Sequence, residues 1–244
     1  MIDILFVIAA RGGSKGVPRK NIKKLAGKPL FFYISEVAQQ VKEDFNGGNV
    51  DIVLSSEDEE IIASANSFMP SFAPFIRPAE LATDTALSID TVLHALQWME
   101  KEHGKTYSHV GLLQPTSPLV AKTDILKLLE ELLSTDRYFN SWTTITSSSN
   151  HPFKMKRLMK SGEVINYIDQ GFDDMRPRQS LPPVYKRSGA VYLTLRSLAV
   201  QNKAIINEPC FGYEIPPDRG LDIDSHFDFE LAESLINGKE NERN

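Results

Sequence analysis

The feature that most constrains the fold of this chain is an apolar run that passes into a glycine-rich loop. Residues 4–9 are apolar and rich in β-branched side chains, which is typical of a buried parallel strand. Residues 10–21 form the loop, and Pro29 then opens a helical pattern. A strand, a glycine-rich loop and a helix are the usual means by which an α/β protein holds phosphate, because backbone N–H groups can point at the anion.

The loop also carries four cations, Arg11, Lys15, Arg19 and Lys20, beside three glycines. This charge favours a highly charged anion over a plain turn with solvated side chains, because loops on rigid scaffolds often carry function. The loop lacks the Lys-Ser/Thr pair of a Walker A motif, and its glycine spacing differs from the dinucleotide fingerprint. We therefore predict a phosphate site of another type.

Four separated motifs carry a family resemblance. The first motif is the loop, in which residues 10–15 read Ala-Arg-Gly-Gly-Ser-Lys and residues 18–21 read Pro-Arg-Lys-Asn. Residues 77–84 read Arg-Pro-Ala-Glu-Leu-Ala-Thr-Asp, residues 112–118 read Leu-Leu-Gln-Pro-Thr-Ser-Pro, and residues 222–224 read Asp-Ile-Asp. The chain resembles the CMP-sialic acid synthetase-like cytidylyltransferases, which activate sialic acids and related nonulosonic acids.

Apolar periodicity predicts alternating strands and helices, which indicates an α/β fold. Strands are predicted at 4–9, 50–54, 109–113, 142–146, 189–193 and 211–215, and helices at 29–45, 58–68, 88–103, 124–133 and 227–236. The resemblance implies a Rossmann-like three-layer fold, with a mixed, mostly parallel sheet and helices on both faces. It implies a single nucleotidyltransferase domain, 1–244, with an inserted lobe at 147–187 for sugar binding and dimerisation. A hairpin is predicted within that lobe, around Ser161 and Gly162.

The resemblance also implies the nucleotide-binding residues. They are Ala10, Arg11, Gly12, Gly13, Ser14, Lys15, Lys20, Asn21, Arg77, Asp84 and Ser88. Taken alone, Arg77 could form a surface salt bridge, and Asp84 could cap the helix predicted from Ser88. The family often has Ser-Thr-Asp after its second strand, where this chain has Ser-Ser-Glu at 55–57, and we assign no role to those residues.

Gln114 is expected near Arg11, because both follow parallel strands and ligands bind beyond the carboxyl ends of such strands. Its amide can donate and accept hydrogen bonds, which suits a polyhydroxylated sugar. By resemblance, the sugar-binding residues are Gln114, Thr116, Ser117, Lys154, Arg178 and Tyr185. Lys154 and Arg178 would be counter-charges for a sugar carboxylate. In isolation, each would more often be a solvated charge.

Asp222 and Asp224 would share one face of an extended segment, because strand side chains alternate. Their charges repel unless a cation lies between them, and hard divalent ions prefer oxygen ligands. The resemblance implies a metal pair here, with Mg²⁺ as the cofactor and Mn²⁺ as a substitute. The catalytic residues would be Arg11, Lys20, Asp222 and Asp224, and the sequence indicates no general base. The five histidines have no zinc-ligand spacing.

Charge and composition restrict the partners. A net charge of −5 argues against a broad basic face for nucleic acid. No apolar run has the length of a membrane span. A single cysteine, Cys210, excludes an internal disulfide and fits a reducing compartment, so we expect a cytoplasmic protein.

The resemblance implies transfer of CMP from CTP to the anomeric hydroxyl of a sialic acid of the N-acetylneuraminate type, with release of pyrophosphate, by a homodimer. Pseudaminic acid, legionaminic acid or Kdo are alternative acceptors. A glycosyltransferase with an Asp-x-Asp motif and a non-catalytic nucleotide-binding protein are alternatives of other classes. The cationic loop argues against the glycosyltransferase, which has no need to bind a triphosphate.

Overall fold

The computed structural model describes residues 2–134 and 138–241. Its strands are β1 (Ile2–Ala9), β2 (Lys24–Leu25), β3 (Lys28–Pro29), β4 (Gly48–Ser55), β5 (His109–Leu113), β6 (Ser141–Ser147), β7 (Lys156–Leu158), β8 (Val164–Asn166), β9 (Tyr185–Leu195) and β10 (Cys210–Glu214). Its α-helices are α1 (Leu30–Asp44), α2 (Glu59–Phe68), α3 (Ser88–His103), α4 (Lys122–Leu133), α5 (Arg196–Asn202) and α6 (His226–Asn241). The predicted helix 88–103 and strand 109–113 have the observed bounds, and the other predicted elements differ mainly at their ends.

Six strands form the main sheet, in the order β10-β6-β9-β5-β1-β4. Neighbouring strands are parallel except at β9, which runs antiparallel to both β5 and β6. The prediction of a mixed, mostly parallel sheet is therefore confirmed. Because β1 lies between β4 and β5, the loop that follows β1 leaves from the interior of the sheet.

Strand β1 is buried on both faces, and its alternating side chains belong to two cores. Ile4, Phe6 and Ile8 pack in one core with residues of α1 and α4. Leu5 and Val7 pack in the other core with residues of α3. The helices therefore cover both faces of the sheet, as predicted, and together they hold the end of β1 rigidly.

A third core lies beside the glycine-rich loop. It joins Val17 of that loop to Ile223, which separates Asp222 from Asp224, and to Phe229 of α6. Both Val17 and Ile223 are fully buried. The third core therefore fixes the loop against the aspartate segment, although the two are far apart in the sequence.

The predicted hairpin is observed as the antiparallel pair β7 and β8, with Gly162 in the left-handed region at φ +86°. The last residues of the proposed lobe, 185–187, belong to β9, where they pair with β6. Within residues 2–134 and 138–241, none of the helices has the length and apolar character needed to cross a membrane.

Candidate nucleotide site

A cavity of about 410 Å³ opens at the carboxyl ends of β1 and β5. The predicted site residues that line it are Arg11, Ser14, Lys15, Lys20, Asn21, Arg77, Asp84, Ser88, Gln114, Thr116, Asp222 and Asp224. Motifs from four parts of the sequence thus converge on one cavity, and the expectation that Gln114 lies near Arg11 is fulfilled.

Asp84 holds two of the loop cations. Its carboxylate accepts a hydrogen bond from the Arg11 guanidinium at 3.0 Å and lies 2.8 Å from Lys15 Nζ. The hydrogen bond from Lys15, and then Arg11, lower the pKa of Asp84 below its usual value. Helix α3 begins at Ser88 without a side-chain cap, so Asp84 is a counter-ion of the loop and does not cap this helix.

Lys20 connects the glycine-rich loop to the aspartate segment. Its ammonium donates a hydrogen bond to the carbonyl oxygen of Ile223 and lies 3.7 Å from Asp224 Oδ1. A Cβ atom at Gly16 would lie 1.9 Å from the backbone oxygen of Asp224, so only glycine permits this approach. The glycine-rich loop and the two aspartates therefore form one structural unit.

Two polar side chains organise the loop internally. The Ser14 hydroxyl accepts a hydrogen bond from the Lys20 N–H and donates one to the Val17 carbonyl oxygen. The Asn21 amide donates to the Arg11 carbonyl oxygen at 2.9 Å. Ser14 and Asn21 therefore shape the loop as well as lining the cavity.

Arg19, the fourth cation of the loop, lies outside the cavity lining. Its φ angle is +51°, and its guanidinium pairs with Asp58 at 3.0 Å and Glu60 at 2.6 Å. The hydrogen bond and charge of Asp58 raise the pKa of Arg19 above its usual value. Arg19 ties the loop to the start of α2, whereas Arg11, Lys15 and Lys20 line the cavity.

Glu57, to which the sequence assigned no role, lies behind the loop. Its Oε1 accepts a hydrogen bond from Gly12 N–H at 2.7 Å, and its Oε2 accepts one from Arg77 at 2.5 Å. The Gly12 N–H therefore points away from the cavity, whereas we expected the loop N–H groups to point inward. The signal that could have identified Glu57 is its place at the carboxyl end of β4, where ligands bind in parallel sheets.

Arg77 is only 3% exposed and lines the cavity. The alternative interpretation is therefore half right, because Arg77 forms a salt bridge with Glu57 but is buried and not on the surface. The charge of Arg77 also helps to lower the pKa of His94, for which burial is the larger cause.

Asp222 and Asp224 both line the cavity, in a segment after Gly220 that has no regular secondary structure. Burial, and then the charge of Asp224, raise the pKa of Asp222, while Thr116 and Lys20 oppose that rise. The buried Oδ1 of Asp222 has no hydrogen-bond partner among the residues that the structure describes. A buried, unpartnered carboxylate oxygen beside a second carboxylate has the chemistry of a cation ligand, so the pair fits a divalent ion.

The protein offers few ligands to such an ion. Over the described parts of the chain, the structure has no group of three or more His, Cys, Asp or Glu side chains that could hold a metal. Two carboxylates nevertheless suit Mg²⁺, which keeps several waters and is commonly completed by substrate phosphates.

The predicted sugar residues fall into two groups. Gln114 and Asp222 converge over Gly189, since a Cβ there would lie 3.2 Å from Gln114 Oε1 and 3.0 Å from Asp222 Oδ2. Thr116 lines the same cavity, whereas Ser117 is fully buried outside its lining.

Lys154, Arg178 and Tyr185 lie outside the cavity lining. Arg178 lines a separate cavity of about 290 Å³ together with Lys186, and it donates a hydrogen bond to the Ser148 carbonyl oxygen at 3.1 Å. The sugar-binding roles of Lys154, Arg178 and Tyr185 remain predictions, as do nucleotide contacts by Ala10, Gly12 and Gly13, which also lie outside the lining.

Comparison with known proteins finds relatives that match nearly the whole of this chain. The chain is 32% identical over 232 residues to a pseudaminic acid cytidylyltransferase of Campylobacter jejuni, covering 95% of each. It is 30% identical over 234 residues to the CMP-N,N'-diacetyllegionaminic acid synthase of Legionella pneumophila, covering 96% of each. It is 29% identical over 240 residues to an N-acylneuraminate cytidylyltransferase of Escherichia coli, and it spans 54% of that relative's length.

Solved structures share the fold. A CMP:2-keto-3-deoxy-manno-octonic acid synthetase complexed with CTP superposes with a TM-score of 0.67 at 18% identity, covering 97% of this chain and 99% of the other. The sequence pattern of one family, described as cytidylyltransferase, matches residues 5–241. The chain therefore belongs to the cytidylyltransferase family, whose members are nucleotidyltransferase enzymes.

Proposed function

We propose that this protein transfers CMP from CTP to the anomeric hydroxyl of a nonulosonic acid and releases pyrophosphate. The observation that carries the proposal is the cavity in which Arg11, Lys15 and Lys20 meet Asp222 and Asp224. A sialic acid of the N-acetylneuraminate type is the first candidate acceptor. Pseudaminic and legionaminic acids follow, because relatives named for these acids match the chain over nearly their whole length.

The proposed reaction places charge where the cavity can neutralise it. The anomeric hydroxyl oxygen attacks the α-phosphorus of CTP and its proton is released to solvent. The bond from the α-phosphorus to the oxygen that bridges to the β-phosphorus breaks, and pyrophosphate leaves with that oxygen. Arg11, Lys15 and Lys20 would stabilise the charge on the phosphate oxygens, and preorganised positive groups are effective in such reactions. The Gln114 amide, beside Asp222, would orient the hydroxyl groups of the acceptor.

Asp222 and Asp224 are the residues that would hold Mg²⁺, or Mn²⁺ in its place. A bound divalent ion would supply positive charge to triphosphate oxygens in this family of reactions. Lys20, which contacts Asp224 and the Ile223 carbonyl oxygen, would keep the two aspartates in register with the loop.

We also propose that the 147–187 lobe within the 1–244 domain forms a homodimer. A two-stranded hairpin is too small to bury a core of its own. Several of its large apolar side chains are exposed, including Leu158 at 72% and Met175 at 82%. A second copy of the chain would cover these residues, and it could bring Lys154, Arg178 and Tyr185 to a sugar bound in its partner.

A cytoplasmic location completes the proposal, supported by the single cysteine of the chain, which fits a reducing compartment.

The decisive experiment is a turnover assay with CTP, Mg²⁺ and a panel of nonulosonic acids and Kdo, read as pyrophosphate release. We expect turnover with at least one nonulosonic acid and little with UTP, ATP or GTP. Pyrophosphate release separates the proposal from a glycosyltransferase, which consumes a nucleotide sugar, and from a non-catalytic nucleotide-binding protein. Equal rates with UTP would contradict the cytosine assignment, and no release with any acid would overturn the proposed function.

A further inference from the structure

The Glu57 carboxylate is divided between two segments of the nucleotide site. One oxygen binds the Gly12 N–H in the phosphate loop, and the other binds the Arg77 guanidinium. Glu57 itself lies outside the cavity lining. It is therefore placed to set the position of Arg77, which lines the cavity, and of the loop that carries Gly12, without lining the cavity itself.

Arg77 connects this arrangement to the cavity. Its side chain is 97% buried from solvent, as its 3% exposure indicates, and it lines the cavity. Its Nε group is buried with no hydrogen-bond partner among the residues that the structure describes. A buried guanidinium with an unused donor is costly unless something binds it, and the cavity is where a ligand would do so.

Backbone contacts support the same arrangement. Ala10 N–H donates to the Ser55 carbonyl oxygen at 3.0 Å, and Arg77 N–H donates to the Ser56 carbonyl oxygen at 2.8 Å. The end of β4 thus lies between the phosphate loop and the segment of Arg77. Glu57 is the next residue, and its side chain makes the charged contact with Arg77 that backbone groups cannot supply.

We propose that Glu57 is a positioning residue for the nucleotide, which fixes Arg77 and the phosphate loop at the separation that CTP requires. This inference rests on the proposed function, because it takes CTP as the occupant of the cavity. Glutamine cannot replace Glu57, since its amide presents only one acceptor oxygen. Its NH₂ group would face a second donor, either Gly12 N–H or Arg77.

Glu100 provides a matched control. Its carboxylate is also shared between an arginine, Arg196 at 2.8 and 3.0 Å, and a backbone N–H, that of Tyr107 at 3.2 Å. Its side chain is 17% exposed, compared with 21% for Glu57. It lies on α3 outside the cavity lining, so Glu100→Gln reproduces the chemical change without changing the nucleotide site.

The test measures CTP affinity by titration calorimetry and the Tm of each variant. We expect Glu57→Gln and Glu100→Gln to lower the Tm to a similar degree. Only Glu57→Gln should weaken CTP binding, by about tenfold or more, the loss expected when a charged hydrogen-bond partner is removed. Glu57→Asp keeps the charge but is too short to reach both partners, so it should fold and lose affinity to an intermediate degree.

Unchanged CTP affinity in folded Glu57→Gln or Glu57→Asp would overturn the inference, and so would an equal loss of affinity in Glu100→Gln. If the wild type binds CTP but releases no pyrophosphate with any acid, the proposed function fails, and a selective loss of affinity in Glu57→Gln still supports the positioning role. A wild type that does not bind CTP would overturn both proposals.

Discussion

At the scale of single residues, Asp222 combines a buried position with a negative charge. Burial, and then the charge of Asp224, raise its pKa above the usual value. A carboxyl group whose pKa is raised on folding destabilises the folded state at pH values above its unfolded pKa, and this cost is relieved as the pH falls through the folded pKa. We therefore predict that, at pH 7 in EDTA, Asp222→Asn unfolds at a higher temperature than the wild type, by about 2–4 °C for each kcal/mol relieved.

With added Mg²⁺, the wild type should have the higher Tm of the two proteins. The ion should raise the Tm of the wild type more than that of Asp222→Asn, because the variant has lost a charged ligand. Asp224→Asn is the matched comparison in EDTA and should raise the Tm less, because that side chain is 82% exposed and removing its charge relieves only the smaller of the two causes. A lower Tm for Asp222→Asn than for the wild type in EDTA would show that the charge of Asp222 does not destabilise the folded state.

The sequence predicted the charges that line the cavity, because each lies in one of the motifs that carry the family resemblance. It did not predict the partner of each charge. Arg19 and Lys20 are adjacent cations, but the left-handed backbone at Arg19 directs its side chain to Asp58, while Lys20 reaches the Ile223 carbonyl oxygen. Such pairings depend on tertiary contacts that periodicity and composition do not encode.

At the scale of elements, the site depends on the contact between the glycine-rich loop and the aspartate segment. Gly16→Ala would place a Cβ 1.9 Å from the Asp224 backbone oxygen, so one of the two segments must move. We predict a stability loss of about 1–3 kcal/mol, as for other overpacked sites, and a smaller rise in Tm on adding Mg²⁺. Gly13→Ala is the control, since its Cβ would have none of the described atoms within 4 Å apart from Gly13 itself and its two chain neighbours. A wild-type Tm for Gly16→Ala would contradict the prediction.

Helices and strands with apolar periodicity were predicted with nearly correct bounds. The start of β9 was missed, because Tyr185, Lys186 and Arg187 are exposed and carry no apolar alternation. These residues join the strand because they pair with Ser147, Thr146 and Ile145 of β6, where the ladder is irregular. A register set by a distant partner strand cannot be read from the local sequence.

At the scale of the whole molecule, we predict that the wild type is a dimer by light scattering at micromolar concentration. Leu158→Lys and Met175→Lys should shift it toward the monomer, because a lysine at a covered apolar position must be desolvated. Val200→Lys, on α5 and 43% exposed, is the control and should remain dimeric. A monomeric wild type, or a dimer that persists in both lobe variants, would contradict the proposed interface.

The position of the antiparallel strand β9 in the sheet determines when the sheet can be completed during synthesis of the chain. Strands β1, β4 and β5 can pair as soon as the first half of the chain leaves the ribosome, but β6 and β10 join them only through β9. Until β9 emerges, β5 presents an open edge that other nascent chains could pair with. Synthesis that stops before Tyr185 leaves the two halves of the sheet unjoined, so this protein acquires its continuous sheet only after most of its length has been translated.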